Sequence, residues 1–424
     1  MTPSAALAAA RQLLDRSDEL ARHTDVPGEL TCTYLGPAHL AVARQLAHWM
    51  GQAGFDSVRI DALGNVAGRY RGRAAAGRQA PCLVTGSHYD TVRNGGKYDG
   101  RLGILAGIAL VQALSEAGLR LRHDLEVVAF AEEEGVRFGS TFLGSSAYAG
   151  CFDTALLDRR DAQGTTLAQA IVQAGRDPQA IAQAAAPPGG IAHYFEIHIE
   201  QGPVLLDLDA PVGVVGAIAG SVRRRLRLAG QAGHAGTTPM RLRRDAACAA
   251  AEIALYVESR CGAQQGLVGT VGQLEVPGGS VNVIPGLCTL SLDVRAADDK
   301  LRDAALADIE AHVAQVCARR GVQCRAEELL RAPAAACDPA GQAAWAGAIA
   351  AQGLPVHTLV SGAGHDAMMM ARVAPISMLF VRCGAGGISH HPQETVSQAD
   401  VAAALATAWA FLHEVDGGPG APAC

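Results

Sequence analysis

Aromatic residues make up only 4% of this 424-residue sequence and charged residues 18%. So few rings leave the interior to aliphatic side chains on closely packed helices and strands, which concerns packing rather than function. No charge of one sign dominates: a formal net charge of −6 gives no electrostatic reason to expect a nucleic-acid partner, and a small-molecule substrate fits better. Eleven cysteines are present, yet none stands in a Cys-x-x-Cys pair, and their scatter from Cys32 to Cys424 argues against a thiolate metal site and a disulfide framework. They read as mostly buried, reduced thiols. Long hydrophobic runs are missing too. No uninterrupted apolar stretch reaches the roughly 18 residues of a membrane span. Arg11, Asp15, Arg16 and Asp18 break up the alanine-rich first turns, which spell an amphipathic helix rather than a signal peptide. Membrane attachment is not expected, and the cytoplasm is the default location.

What is present is chain enough for two cores. Helical periodicity runs from Leu40 to Ala53, followed by short β-like runs at Ser57–Ile60 and Asn65–Tyr70. Types then alternate: strand Pro81–Gly86, helix Gly103–Ala117, strand Leu125–Ala131 and strand Tyr194–Ile199, a succession that argues for an α/β sheet with crossover helices. From Val214 the texture changes to a strand at Val222–Leu228, a helix from Arg244 to Arg260, strands near Leu267–Leu274 and Leu287–Val294, and a helix Leu301–Arg320. That order suggests part of a ferredoxin-like α+β unit, here residues 215–330, inserted into an α/β domain made of 1–214 and 331–424. A helix Gly341–Ala351, a strand Ile376–Phe380 and a helix Val401–His413 complete the chain, with flexible stretches expected at Ala184–Gly190 and Gly417–Cys424.

Chemistry concentrates where strands end. Gly86-Ser-His-Tyr-Asp-Thr-Val places His88 directly after a strand, Asp90 two residues on, where it can orient the imidazole, and Asp99 eleven residues on at a helix start. A carboxylate there could bridge two cations about 3.5–4 Å apart. Glu132, Glu133 and Glu134 follow another apolar strand, and like charges crowded there call for cations or protons. Extended chain turns neighbours to opposite sides, so one glutamate can ligate while the next works on water. Alternation in Phe195-Glu-Ile-His-Ile-Glu puts Glu196, His198 and Glu200 on one face.

His234 lies in the glycine-rich turn Gly233-His-Ala-Gly-Thr-Thr-Pro-Met, which suits an exposed ligand-contacting residue as well as an ordinary surface loop. His365 and Asp366, and the pair His390-His391, sit in loops near apolar segments. Only one of two adjacent histidines readily serves a given metal. The other eight histidines, His23, His39, His48, His123, His193, His312, His357 and His413, read as structural. Carboxylates and imidazoles without a thiolate suit Zn²⁺ or Mn²⁺.

Taken together, Gly-Ser-His-x-Asp-Thr-Val-x-Asn-Gly-Gly-x-x-Asp-Gly, Ala-Glu-Glu-Glu-Gly-x-Arg-Phe, His-Ile-Glu-Gln-Gly, Gly-His-Ala-Gly-Thr-Thr-Pro-Met, Asn-Val-x-Pro-Gly, Ser-Gly-Ala-Gly-His-Asp-Ala and Gly-Ile-Ser-His run in order from about residue 25 to 415. This set resembles the allantoate amidohydrolase and N-carbamoyl-L-amino-acid hydrolase group of dinuclear metallopeptidase-like enzymes. The resemblance implies a metallopeptidase-like α/β catalytic domain with an inserted α+β, ferredoxin-like lid that also forms a homodimer. It implies two divalent ions per subunit, one held by His88, Asp99 and His198, the other by Asp99, Glu134 and His390. Glu133 matches the general base and His234 the oxyanion donor, reaching across the dimer. Gln201, Asn282, Arg295, Gly364 and His365 match substrate-binding positions, with Arg295 as the clamp on a substrate carboxylate.

Both subgroups hydrolyse a ureido C–N bond in a small carboxylate. The donor-rich strand Ser221-Val-Arg-Arg-Arg-Leu-Arg and the stretch Leu30-Thr-Cys-Thr-Tyr-Leu favour allantoate, with release of ammonia and CO2, over a carbamoyl amino acid. An aminoacylase or peptidase of the wider superfamily remains an alternative, against which His198 counts because peptidase relatives commonly place a carboxylate there. A non-enzymatic scaffold would lack ligands, and none of the five is missing.

Overall fold

The computed structural model describes residues 1–73 and 81–417, so the expected flexible tail lies outside the described residues beyond Gly417. The chain divides into two units. The first comprises Met1–Gly216, Cys337–Leu359 and Gly364–Cys424, the second Ala217–Ala336 and Val360–Ala363.

The first unit is built on a mixed sheet with the order Ser57–Ile60, Val66–Tyr70, Leu125–Phe130, Cys82–His88, Ile191–Ile199, Ile376–Val381 and Val212–Ile218. Short strands Ala335–Ala336 and Thr358–Ser361 pair with the last. The four central strands are mutually parallel, so their carboxyl ends share one edge of the sheet. Strands Cys82–His88, Leu125–Phe130 and Ile376–Val381 are buried at every residue, as expected for parallel strands covered on both faces. Helix Arg101–Glu116 makes the crossover from Cys82–His88 to Leu125–Phe130. The α/β class expected from the alternation is what the structure has.

Helix ends follow local chemistry. Thr2 caps Pro3–Ala21 by accepting the Ala5 N–H, with Pro3 in the first turn, and Ser397 does the same for Gln398–Val415 through Asp400. These two helices pack against each other. Several of the scarce aromatics gather rather than scatter: Trp345 stacks on Phe411 at 3.7 Å, and Phe195, on the His198 strand, meets both edge-on.

The second unit has the strand order Leu274–Glu275, Leu287–Ala296, Gly220–Ala229, Gln323–Ala332, with Leu267–Thr270 also on Leu287–Ala296. Helices Ala246–Gly262 and Asp299–Arg320 share its core. Strict alternation of burial along Leu287–Ala296 marks a sheet covered on one face. Along the chain the strands of this sheet and the two helices run Gly220–Ala229, Ala246–Gly262, Leu267–Thr270, Leu274–Glu275, Leu287–Ala296, Asp299–Arg320 and Gln323–Ala332.

The structure differs from the sequence reading in three places. Strand Gln323–Ala332 completes the second sheet by pairing with Gly220–Ala229, so the boundaries fall at 216/217 and 336/337 rather than 214/215 and 330/331. Exposed along most of its length, it has no hydrophobic alternation to read. The strand expected at Leu267–Leu274 breaks into two short ones at residues 271–273. The stretch expected to be flexible, Ala184–Gly190, is tied down by Ala186 N–H to Tyr148 O and Gly190 N–H to Pro187 O, both at 2.8 Å. Among the described residues no helix is long and apolar enough to cross a membrane. The ten described cysteines are free thiols, mostly buried, with Cys248 exposed.

Candidate metal centre

Three strand ends and one loop converge at the carboxyl edge of the first sheet. His88 closes Cys82–His88, and the chain returns through Asn94-Gly95-Gly96 to Asp99, just before helix Arg101–Glu116. Gly100 makes the approach possible: its φ is +66°, and a Cβ there would stand 2.4–2.5 Å from the His88 carbonyl oxygen and ring. The Asp90 carboxylate accepts the N–H groups of Glu133 and Glu134, both at 3.1 Å, binding the first motif to the second. His88 Nδ1 lies 3.2 Å from the Asp90 carbonyl oxygen and 3.6 Å from its Oδ1.

The glutamates do not lie in extended chain, contrary to the sequence reading. The strand stops at Phe130 and Glu132 takes a left-handed φ of +57°. Asn65 fixes the turn, accepting the Ala131 N–H at 2.9 Å and donating to the Gly144 carbonyl at 3.0 Å. Glu132 turns aside to accept the Arg137 N–H at 3.3 Å. Glu133 and Glu134 therefore both reach a group with His88 whose ligand atoms lie within 4.8 Å.

Two further groups share Asp99: one with His88 and His198, the other with Glu134 and His390. Asp99 Oδ1 faces His198 Nε2 at 3.3 Å and His88 Nε2 at 3.7 Å, while Oδ2 faces His390 Nε2 at 3.1 Å; His390 Nε2 stands 3.3 Å from Glu134 Oε1. Ligands about 2.0–2.2 Å from a common ion stand roughly 3–3.6 Å apart, so these separations fit two ions sharing one carboxylate. His198 supplies an independent test. Its Nδ1 donates to the Ile199 carbonyl at 2.8 Å, which leaves an Nε2 lone pair aimed at a carboxylate, buried and without a hydrogen-bond partner. Two lone pairs face each other there unless a cation stands between them.

The electrostatics agree. Burial lowers the His198 imidazole to about 4, whereas Asp99 and Glu134 raise His390 to about 10. Burial alone would lower His88 and raise Asp99. Their mutual attraction, with Asp90 on one side and His390 on the other, instead takes His88 well up and Asp99 well down. Burial and the neighbouring Glu134 push the Glu133 carboxyl well above the usual range.

Of the alternating trio, only Glu196 and His198 reach the centre. Glu196 accepts from Ser87 Oγ, Tyr194 OH and the Ala367 N–H at 2.8–3.1 Å, and burial raises it to about 7. Glu200 lies past the strand end and accepts the N–H groups of Val204 and Leu205 at 2.6 and 2.9 Å. His365 packs edge-on to His198 with ring centroids 4.4 Å apart. Gly364 lies beside Glu133: a Cβ on it would be 3.7 Å from Oε1. His391 accepts the Gln393 N–H and joins no ligand group.

Two expected substrate contacts are engaged otherwise. Gln201 Nε2 donates to both Asp99 oxygens at 3.1 Å. Arg295 forks onto Asp293 at 2.9 and 2.8 Å and donates to the Gly362 carbonyl at 2.6 Å. One edge of that guanidinium is thus already taken, where the sequence suggested a free carboxylate clamp. It borders a cavity of about 580 Å³ within the second unit. In the same unit, His234 and Asn282 are brought together by the pairing of Gly233–His234 with Val283–Ile284 and by the Ala235 N–H to the Asn282 carbonyl. Exposed His234 accepts the Gly236 N–H at Nδ1, which leaves Nε2–H as an outward donor.

The model of peptidase family M20/M25/M40 matches residues 84–414. The chain belongs to that family. A protein of Oryza sativa subsp. japonica named probable allantoate deiminase is 39% identical over 92% of this chain and 85% of its own length. An N-carbamoyl-L-amino acid amidohydrolase of Geobacillus stearothermophilus is 42% identical over 84% of this chain and 86% of its own. A crystal structure of an amidase of the hydantoinase/carbamoylase family from Burkholderia multivorans superposes with a TM-score of 0.89 at 32% identity, covering 96% of this chain and 97% of that one.

Sequence reasoning gave Asp366 no role and passed over Glu394 in this M20-family chain. Asp366, fully buried, is pushed well above the usual carboxyl range by burial and by Glu196. Glu394 grips the Asp99 turn from the far end of the chain. Asp366 sits in the quoted Ser-Gly-Ala-Gly-His-Asp-Ala motif, but Glu394 has no such marker, and an acidic residue in a polar loop does not announce that it is buried.

Proposed function

We propose that this M20-family chain hydrolyses the ureido C–N bond of a small carboxylate, allantoate in the first place, through two divalent ions held by His88, Asp99 and His198 and by Asp99, Glu134 and His390. The observation that carries this reading is Asp99 directing one oxygen to each ligand group, with the buried Nε2 lone pair of His198 aimed at it. Zn²⁺ or Mn²⁺ suits the all-imidazole and carboxylate donors. Bound ions would supply Lewis acidity and make water acidic enough to ionise near neutral pH.

The residues do the rest. Glu133 takes the proton from the attacking water and delivers it to the leaving nitrogen, work suited to a carboxyl already raised by burial. His234 donates through Nε2–H to the carbonyl oxygen as charge develops there. Gly364 and His365 border the reacting centre, Asn282 acts beside His234, and Arg295 turns its free edge toward the substrate carboxylate. Gln201 steadies Asp99.

Relatives named allantoate deiminase align over 92–94% of the chain, which supports allantoate as the substrate. The arginine-rich strand counts for less than its sequence suggests, because Arg223, Arg224 and Arg225 are paired with Asp293, Glu310, Glu328 and Glu327 of their own unit. An N-carbamoyl-L-amino acid is the second reading, carried by the relatives of that name. The test is ammonia release by Mn²⁺- or Zn²⁺-loaded protein given allantoate, N-carbamoyl-L-amino acids or N-acetyl-L-amino acids, with free amino acid followed for the last. Fastest turnover of allantoate is expected. Faster turnover of a carbamoyl amino acid selects the second reading, and faster cleavage of an acetyl amino acid overturns the ureido assignment.

We propose in addition a homodimer formed through the second unit, with His234 serving the partner's centre; Met240 and Leu242, close to His234 in the chain, are exposed. His234→Ala is expected to lower kcat by roughly 10²–10³-fold with a smaller change in KM. Mixed with an equally inactive Glu133→Gln chain, it should recover about a quarter of wild-type activity, because half the dimers are mixed and one of their two sites is complete. Failure to complement after verified subunit exchange removes the cross-dimer role.

A further inference from the structure

The loop after His390 carries a carboxylate that no motif marks. Glu394 is almost wholly buried, at 2% exposure. Its Oε1 accepts the main-chain N–H of Tyr98 at 2.9 Å and of Asp99 at 3.1 Å, and its Oε2 accepts the Ser389 hydroxyl at 2.7 Å. The Glu394 N–H bonds the His391 carbonyl at 3.0 Å and closes the turn. Gly96 leaves the space: a Cβ there would stand 2.1 Å from the Glu394 carboxyl carbon, so any larger residue at 96 would drive this carboxylate out. Two segments 295 residues apart therefore meet on one side chain, one bearing Asp99 and the other His390.

His390 has more need of such a tie than the other candidate ligands. Its side chain is 49% exposed, against 11% or less for Asp99, Glu134, His88 and His198. Its φ is +56°, a conformation that costs a non-glycine residue energy and persists only where its surroundings hold it. The hydroxyl of the preceding residue, Ser389, is anchored by Glu394, the same group that fixes the backbone of Asp99.

We infer that Glu394 is a positioning residue: it holds Asp99 and His390 in one frame and so sets the affinity of the ion bound by Asp99, Glu134 and His390. This rests on the reading of those three residues as ligands. Outer hydrogen-bond partners of ligating groups are commonly worth 10–100-fold in metal affinity. The effect should fall harder on that ion, because it loses the hold on both Asp99 and His390, whereas the other keeps His88 and His198 on their own strands and shares only Asp99.

The test is equilibrium dialysis of the full-length protein against graded Mn²⁺, with bound metal counted by elemental analysis. Wild type is expected to bind two ions per chain. Glu394→Ala should weaken one ion by at least about 10-fold more than the other. Glu394→Gln should recover much of the loss, since its amide oxygen still accepts both N–H groups and the Ser389 hydroxyl can turn to accept from its nitrogen. Two ions bound at unchanged affinity in Glu394→Ala overturn the inference, and so does equal weakening of both, which is what a merely structural role would give. Should that variant fail to fold, Ser389→Ala removes the hydroxyl tie between Glu394 and the His390 loop, together with a longer 3.4 Å contact from Gln201 Nε2: selective weakening of one ion supports the inference and unchanged binding overturns it. A wild-type chain that binds no ions fails the metal reading itself, a result distinct from any of these.

Discussion

Glu133→Gln is expected to bind both ions as tightly as wild type while kcat falls by roughly 10²–10⁴-fold, the usual worth of a positioned general base. The change is nearly isosteric. The Glu133 main chain is held by the Asp90 carboxylate and its side chain is buried beside Gly364, so an amide can occupy the same space. It cannot take a proton from water or return one to nitrogen. The measurement is a pair: steady-state kinetics, and metal content of the same preparation. Because Glu133 also falls within ligand reach of His88 and Glu134, loss of an ion in this variant would reassign it from base to ligand.

Asp99→Ala should abolish turnover and release both ions, a larger loss than removing any other single ligand. Asp99 is the one residue common to the two ligand groups, and each of its oxygens faces a different set of imidazoles. Alanine leaves His88 and His198 on one side and Glu134 and His390 on the other, two ligands each, too few for tight binding without a charge between them. His390→Ala, by contrast, should leave the ion held by His88, Asp99 and His198. Retention of one tightly held ion in Asp99→Ala, measured by elemental analysis after dialysis, would show that the carboxylate is not shared.

How much of this was legible in the sequence depends on how far each feature is local. His88 and His198 could be placed at a strand's end because apolar runs of strand length lead directly into them, and Asp99 at a helix start, and the structure gathers all three at one edge of the sheet. The importance of the three glutamates was readable from charge crowding, but their conformation was not. It hinges on the positive φ of Glu132 and on Asn65, a residue from another strand end that no local pattern connects to it. Glu200 looked equivalent to Glu196 by alternation, yet the strand ends at Ile199 and the next carboxylate is drawn to the N–H groups of Val204 and Leu205.

Longer-range partners stayed hidden for the same reason. Nothing around Gln201 reveals that it donates to Asp99, and nothing around Glu394 reveals a link across most of the chain. The strands Val212–Ile218 and Gln323–Ala332 escaped notice from opposite causes: one is apolar throughout and the other exposed nearly throughout, so neither shows the period-two contrast that marks a half-covered strand. Asp293 as the partner of Arg295 lies two residues away and was within reach of the same argument, since alternate strand residues share a face.

The chain leaves the first unit after Gly216 and returns at Cys337, and these two residues are joined by a hydrogen bond of 3.0 Å from the Cys337 N–H to the Gly216 carbonyl. Departure and return are thus neighbours on the parent scaffold. An excursion whose two ends meet can be lengthened, shortened or recharged without prising apart the strands at its base.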